Sequence, residues 1–267
     1  MSQPSLCQLL CDGPAVRRIT LPGSQQTLTV CERCWEKLAA QARSEIVRRL
    51  REQEPHKGKE IVYQPVAVND ATGWQSLRPD SPARLDLMIE LAGKVLPSST
   101  TKPSYFDAGC NTGYFCHGMG QRGFDSTGLD VVPGDIVVAQ LLDAYVFSGA
   151  SHFVCADAGD FLPTVQPRSF DVASSFSMIQ WVIIQSTPER GLAALDAFVK
   201  SARFMCVLEL GYLEEGHYKD RLAVPIDRQW TETFMREHGD FDELTLYPAG
   251  ERGLKRDVFV GIRREAA

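Results

Sequence analysis

The chain has 267 residues, 44% of them hydrophobic and 23% charged, with a formal net charge of −6. That length suits one large domain plus a small one, and the composition is ordinary for a soluble globular protein. The acidic balance excludes a global basic field for nucleic acid or anionic lipid, although residues 1–60 carry ten Lys and Arg against seven Asp and Glu.

No run of about 18 apolar residues occurs, so no membrane-spanning helix is expected. The opening MSQPSLCQLLCDGPAVRR lacks a basic start, and Asp12 interrupts its short apolar stretch, so it does not read as a secretory signal. The expected compartment is therefore the cytoplasm, with the eight cysteines reduced.

Four of those cysteines come first: Cys7 and Cys11 as C-x3-C, then nineteen residues, then Cys31 and Cys34 as C-x2-C. Two close pairs separated by a loop bring four thiolates to one tetrahedral Zn2+. Between them, AVRRITLPG and QTLTVC read as two short strands around a turn at Pro22-Gly23. After Cys34, residues Trp35, Leu38, Ala42, Ile46 and Leu50 recur at helical spacing. Knuckle, hairpin, knuckle and helix together resemble a treble-clef or zinc-ribbon module, which implies structural zinc on Cys7, Cys11, Cys31 and Cys34. The first pair departs from the commoner two-residue spacing. The remaining cysteines, Cys110, Cys116, Cys155 and Cys206, read as small buried hydrophobes.

The stretch EQEPHKGKE, with Pro55, Gly58 and dense charge, reads as a linker. It divides the chain into a zinc-binding module with its trailing helix (1–54), a linker or cofactor-covering segment (55–79) and a large domain (80–267).

In the large domain, helix and strand patterns alternate. SPARLDLMIELAGKVL reads as a helix capped at Ser81, SYFDAG as the first strand and DSTGLDVV as the second. SHFVCAD, SFDVASSFS and RFMCVLEL follow as strands three to five, with a helix capped by Thr187 before the last. Such alternation implies a parallel sheet covered on both faces, with a ligand beyond the carboxyl ends of its strands. DELTLYP and DVFVGIRR close the domain as an antiparallel hairpin.

The turn after strand one carries Asp107, Gly109 and Gly113 as D-x-G-x-x-x-G, where Asn111 breaks the dinucleotide fingerprint. Glycine serves where backbone approaches a ligand closely or takes positive φ. This loop resembles motif I of class I S-adenosylmethionine-dependent methyltransferases, a likeness that extends over about residues 80–264. It implies a Rossmann-like α/β fold: a seven-stranded, mostly parallel sheet, last strand antiparallel, with helices on both faces. It also implies S-adenosylmethionine as cofactor. Asp107 then lies near the amino acid part of the cofactor, above a floor of Gly109, Cys110, Asn111 and Gly113. Asp130, ending strand two beside Val131, binds the ribose hydroxyls; two acceptor oxygens suit a cis-diol. Asp157 and Ala158 lie near the adenine, Phe176 and Ser177 near the cofactor after strand four. The leading segment GWQSLRPDSPAR would fold over the site, with Trp74 and Gln75 helping to enclose it and Arg78 pairing with the cofactor carboxylate.

Gln180 and Trp181 are placed to orient an acceptor; of the possible bases His117, His152, His217 and His238, His217 is the candidate by position, with Glu209, Glu214 and Glu215 as alternatives. The chain has neither a D/N-P-P-Y/F motif after strand four nor a Pro-Cys dipeptide, which disfavours the common nucleic-acid base chemistries. The expected reaction is methylation of an O or N atom of a small molecule or sugar. One alternative is an RNA methyltransferase whose Arg17, Arg18, Arg33, Arg48, Arg49 and Arg51 contact phosphates. Another is a non-catalytic zinc-ribbon scaffold.

Overall fold

The computed structural model describes residues 8–9, 11, 17–20, 27–53, 56–68, 71, 73–98, 100–147 and 151–264. Cys7, the Pro22-Gly23 turn and Pro55 lie outside the described residues.

The N-terminal unit pairs β1 (Arg17–Thr20) antiparallel to β2 (Thr27–Val30) and runs into α1 (Glu32–Glu52), with Cys31 at the helix N-cap. Ile19, Val30 and Cys31 are buried together, with Leu28, Trp35 and Leu38 packed around them. Among the described residues of the segment 55–79, several pack on α1. Ile61–Val62 (β3) pairs in parallel with Gln75–Ser76 (β4), and Val62, Val68, Ala71 and Trp74 are buried against Ile46 and Leu50 of α1. Trp74 is thus a core residue beneath α1, with Arg51 over its ring at 5.5 Å.

The large domain begins at α2 (Ser81–Val95), where Asp80 rather than Ser81 is the N-cap residue. It continues through β5 (Ser104–Ala108), α3 (Tyr114–Gly120), β6 (Asp125–Asp130) and α4 (Pro133–Leu142), the last followed by a π-helical turn, Asp143–Phe147. Then come β7 (Ser151–Cys155), α5 (Ala158–Phe161), β8 (Phe170–Phe176), α6 (Ile179–Gln185) and α7 (Pro188–Ser201). The chain ends with β9 (Ala202–Glu209), α8 (Arg228–Gly239), β10 (Glu243–Tyr247) and β11 (Val258–Ile262). Thr187 caps α7 by accepting from the Arg190 N–H, as its position before Pro188 implied.

The seven strands lie in the order β10-β11-β9-β8-β5-β6-β7. Six are parallel, and β11 inserts antiparallel between β10 and β9. The central strands are buried on both faces, as a parallel sheet covered by helices requires. Successive residues serve opposite cores. Tyr105, Met205 and Val258 pack with α2 and α3, while Phe106, Cys206 and Phe259 pack with α6, α7 and α8. The helix α1 lies on α4 through Ile46, Leu50, Val138 and Leu142, so the N-terminal unit is docked on the sheet layer that ends at the candidate site.

Candidate cofactor and acceptor site

The turn from β5 into α3 has the geometry that its glycines imply. Gly109 has φ +88° and Gly113 φ +83°. A Cβ on Gly109 would stand 2.5 Å from Met178 Cγ, and one on Gly113 would stand 2.8 Å from both His117 and Phe153. Positive φ and close approach coincide at both positions, so neither tolerates a side chain. The Gly109 and Cys110 N–H groups donate to the Leu129 carbonyl at 2.8 and 2.9 Å, tying the turn to β6. The Cys110 side chain itself is buried in the core, so only its backbone serves the turn.

Asp107, next to the last residue of β5, is fully buried. Its Oδ1 accepts from Ser174 Oγ at 2.9 Å, and Ser174 in turn meets the Tyr105 hydroxyl at 2.5 Å. Its Oδ2 has no hydrogen-bond partner. Burial pushes this carboxyl up to about 7 from its ordinary 3.8, the Asp130 charge adds to the rise, and Ser174 opposes it. The folded state therefore holds a proton here that the unfolded chain releases near pH 4. That contribution to stability is complete below the unfolded value and is lost as pH rises through about 7. Asp107→Asn keeps the acceptor for Ser174 and should flatten the decline. Denaturant midpoints at pH 5 and pH 8 should differ less in the variant than in the wild type.

Asp130 ends β6 and accepts from the Asn111 N–H on Oδ2 at 2.8 Å and from the Val132 N–H on Oδ1 at 3.0 Å. Each oxygen keeps a further lone pair. Asp130 lines a cavity of about 330 Å3 with Gly109, Val131, Asp157, Ala158, Met178 and Trp181. The cavity lies beyond the carboxyl ends of β5 to β8, where open α/β sheets bind ligands. Asp157 caps α5, accepting from the Gly159 N–H at 2.7 Å, and is held by Arg190 at 2.8 Å.

Other residues stand away from this cavity. Ser177 takes φ +55°, which turns its hydroxyl to donate to Glu209 and to accept from Arg256 Nη1 at 2.5 Å. Phe176 packs on Phe115 at 4.6 Å with Arg84 over its ring. The wall beside β8 is formed instead by the first turns of α6, through Met178, Trp181 and Val182. Gln180 is buried, and its Nε2 donates to the Tyr218 hydroxyl at 3.1 Å. Tyr218 stands edge-on to Trp181 at 5.4 Å, and Arg221 covers the Trp181 face at 5.1 Å. His217 is exposed beside the Tyr218 ring.

Arg78 reaches neither the cavity nor a free position. Its Nη2 donates to Glu209 Oε1 at 2.6 Å and its Nη1 to Tyr63 Oη at 3.2 Å. Glu209, fully buried at the end of β9, also lies 2.5 Å from Arg84 Nη2, which is itself 2.8 Å from Asp80 Oδ2. Burial disfavours the Arg78 charge, and Glu209, then Tyr63, outweigh it and raise its pKa; Arg84 is lowered by burial. Sequence reasoning named Glu209 as a possible base and missed that two arginines from the α2 region claim it. The one signal for the cluster was a third carboxylate ending a strand, after Asp107 and Asp130.

In the N-terminal unit, the Cys11 sulfur lies 3.2 Å from that of Cys31 and 3.3 Å from that of Cys34. All three sulfurs fall within 4.8 Å of one another. Thiolates on one tetrahedral zinc stand about 3.8 Å apart, given Zn–S bonds of about 2.3 Å, so the set suits that ion. Of the arginines considered for phosphate contact, Arg17 pairs with Glu32, Arg48 and Arg49 with Glu45, and Arg51 with Glu60.

The fold is that of the class I methyltransferases. Residues 106–204 match a family model described as a methyltransferase domain. A search of curated proteins gives no match. Among solved structures, the bifunctional kinase-methyltransferase WbdD matches with a TM-score of 0.64 at 17% identity, covering 81% of this chain and 46% of that one. The chain thus spans less than half of the WbdD chain. Magnesium protoporphyrin IX methyltransferase (ChlM) from Synechocystis PCC 6803, solved with bound SAH, matches with a TM-score of 0.52 at 13% identity over 86% of this chain and 98% of that one. Phosphoethanolamine N-methyltransferase 2 of Haemonchus contortus, solved with S-adenosyl-L-methionine, matches with a TM-score of 0.50 at 11% identity over 67% of this chain and 53% of that one. At these identities the likeness is one of fold. Among the described residues, no helix is long and apolar enough to cross a membrane.

Proposed function

We propose that the protein transfers a methyl group from S-adenosylmethionine to an O or N atom of a small molecule or sugar. The observation that carries this reading is the pairing of two carboxylates near strand ends, Asp107 buried and Asp130 half-buried, across one glycine turn. Asp107 keeps an unpartnered Oδ2, and Asp130 lines the cavity with lone pairs to spare. An orphaned buried acceptor suits an ammonium group, and a two-oxygen acceptor suits a ribose diol. Asp157, beside the same cavity, would accept from an adenine amine. When bound, the cofactor supplies a methyl group on a sulfonium.

The chain's own part is to orient and to exclude water. Trp181 lines the cavity, braced edge-on by the buried Tyr218 and with Arg221 over its indole face, and an aromatic wall beside a cation suits a small polar acceptor. Gln180 acts through Tyr218, whose hydroxyl it holds. His217, next to Tyr218, is the imidazole we assign to take a proton from the acceptor. Cys7, Cys11, Cys31 and Cys34 would hold a structural zinc, a role in keeping with a reducing, cytoplasmic setting.

Calorimetric titration with S-adenosylhomocysteine tests the reading. Asp130→Ala should weaken binding by tenfold or more, since hydrogen bonds to a charged group contribute about 1.5–3 kcal/mol and about 1.4 kcal/mol is a factor of ten. A folded wild type that shows no binding would remove the reading altogether.

A further inference from the structure

Asn111 sits in the cofactor turn at φ +50°, in the left-handed region that Asn enters more readily than most residues and that local hydrogen bonds hold in place. Two bonds do so. Its N–H donates to Asp130, and its Nδ2 donates to Asp135 Oδ2 at 2.5 Å. Asp135, in the first turn of α4, is buried, and its second oxygen accepts from Gln53 Nε2. Gln53 is the C-cap of α1 and lies 82 positions away in sequence. A continuous path, Gln53–Asp135–Asn111–Asp130, therefore joins the N-terminal unit to the carboxylate assigned to the ribose.

The path is anchored at both ends of α1. At its C-terminal end, Ile46 and Leu50 pack on Val138 and Leu142 of α4. At its start, Trp35 stacks on Tyr145 at 5.5 Å, with an interplanar angle of 25°. Between these contacts α1 is held as a strut with Gln53 at its tip. Burial, then the Asp130 charge, raises Asp135 to about 6, and the Gln53 and Asn111 donors act against that rise.

We propose that Gln53 and Asp135 are a positioning pair for Asn111 and Asp130, through which the N-terminal unit sets cofactor affinity. The proposal rests on the cofactor reading above. Neither residue lines the cavity, so each acts through Asn111. Without the Gln53 donor, the buried Asp135 charge loses one of its two side-chain bonds. The turn residue that Asp135 steadies then becomes free to relax out of the left-handed region.

The test is S-adenosylhomocysteine titration of the full chain, with a thermal melt as a check on folding. Gln53→Ala should raise Kd about five- to tenfold, as expected for one lost donor to a charged acceptor. Gln53→Glu should do worse, because it sets a second carboxylate against Asp135. The double exchange Gln53→Glu with Asp135→Asn reverses donor and acceptor and keeps an acceptor for Asn111. It should bring Kd back to within about threefold of wild type, a coupling that a merely structural role would not produce. The proposal is overturned if Gln53→Ala binds as wild type does, or if the double exchange binds no better than Gln53→Glu. A wild type that fails to bind would remove the cofactor reading and this proposal with it. Loss confined to the variants speaks to the pair alone.

Discussion

Glu209→Ala is expected to cost the fold about 3–5 kcal/mol, the usual result of breaking a buried ion pair from one side. Glu209 is fully buried and faces Arg78 at 2.6 Å and Arg84 at 2.5 Å, with Arg256 at 3.8 Å. The Arg84 side chain is only 1% exposed, so it cannot turn to water when its partner is removed. Asp80 would remain as its single counter-charge. Three separate parts of the chain meet at this carboxylate: the segment before α2, the end of β9, and the turn before β11. Its loss should loosen all three. Chemical denaturation at pH 7 measures the effect. Glu209→Gln, which keeps the shape and loses the charge, should be less harmful. Combining Glu209→Ala with Arg84→Met should recover part of the loss, because the uncompensated buried cation is then gone. A loss in Glu209→Ala below about 1 kcal/mol, the scale of an exposed ion pair, would mean that the cluster is solvated.

Cys31→Ser should have the larger local effect. Structural zinc contributes about 10–16 kcal/mol of apparent binding energy in small modules, which is folding energy where no core exists without it. Among the described residues of the N-terminal unit, only Ile19, Val30 and Cys31 form its buried cluster. Three side chains cannot offset the chain entropy of two four-residue strands and their connections. Purified wild type should contain about one zinc per chain, and Cys31→Ser should contain none. Limited proteolysis should then cut within residues 8–30 while sparing α1 beyond Ala42, since Ile46 and Leu50 are held by α4. A metal-free wild type that resists protease to the same degree would defeat the assignment.

Much of this architecture was legible in the residues themselves. Alternation of strand and helix patterns identifies the doubly covered sheet, because burial on both faces leaves unbroken apolar runs such as Tyr105-Phe106 and Val258-Phe259-Val260. The spacing of Asp107, Gly109 and Gly113 marks the turn, because positive φ and close backbone approach select glycine locally. The C-x2-C spacing of Cys31 and Cys34 shows locally that these two sulfurs can lie close together, and the fold brings Cys11 to them.

What the tertiary structure alone decided lies where distant segments meet side chain to side chain. The sequence assigned Phe176 and Ser177 to the cofactor. A single backbone dihedral at Ser177 turns its hydroxyl to Glu209 and leaves Met178 and Trp181 to wall the cavity. It assigned Arg78 to a ligand carboxylate, and the protein's own carboxylate, 131 positions away, takes that guanidinium. It read residues 55–79 as a linker or cofactor-covering segment and did not mark Val62, Val68 and Trp74 as core residues, because their apolar positions are too sparse to show a period. Periodicity and turn chemistry act over a few residues and can be read along the chain. Ion pairs and donor relays such as Arg78–Glu209 and Gln53–Asp135 depend on which ends of which elements the fold brings together, and no local pattern encodes that.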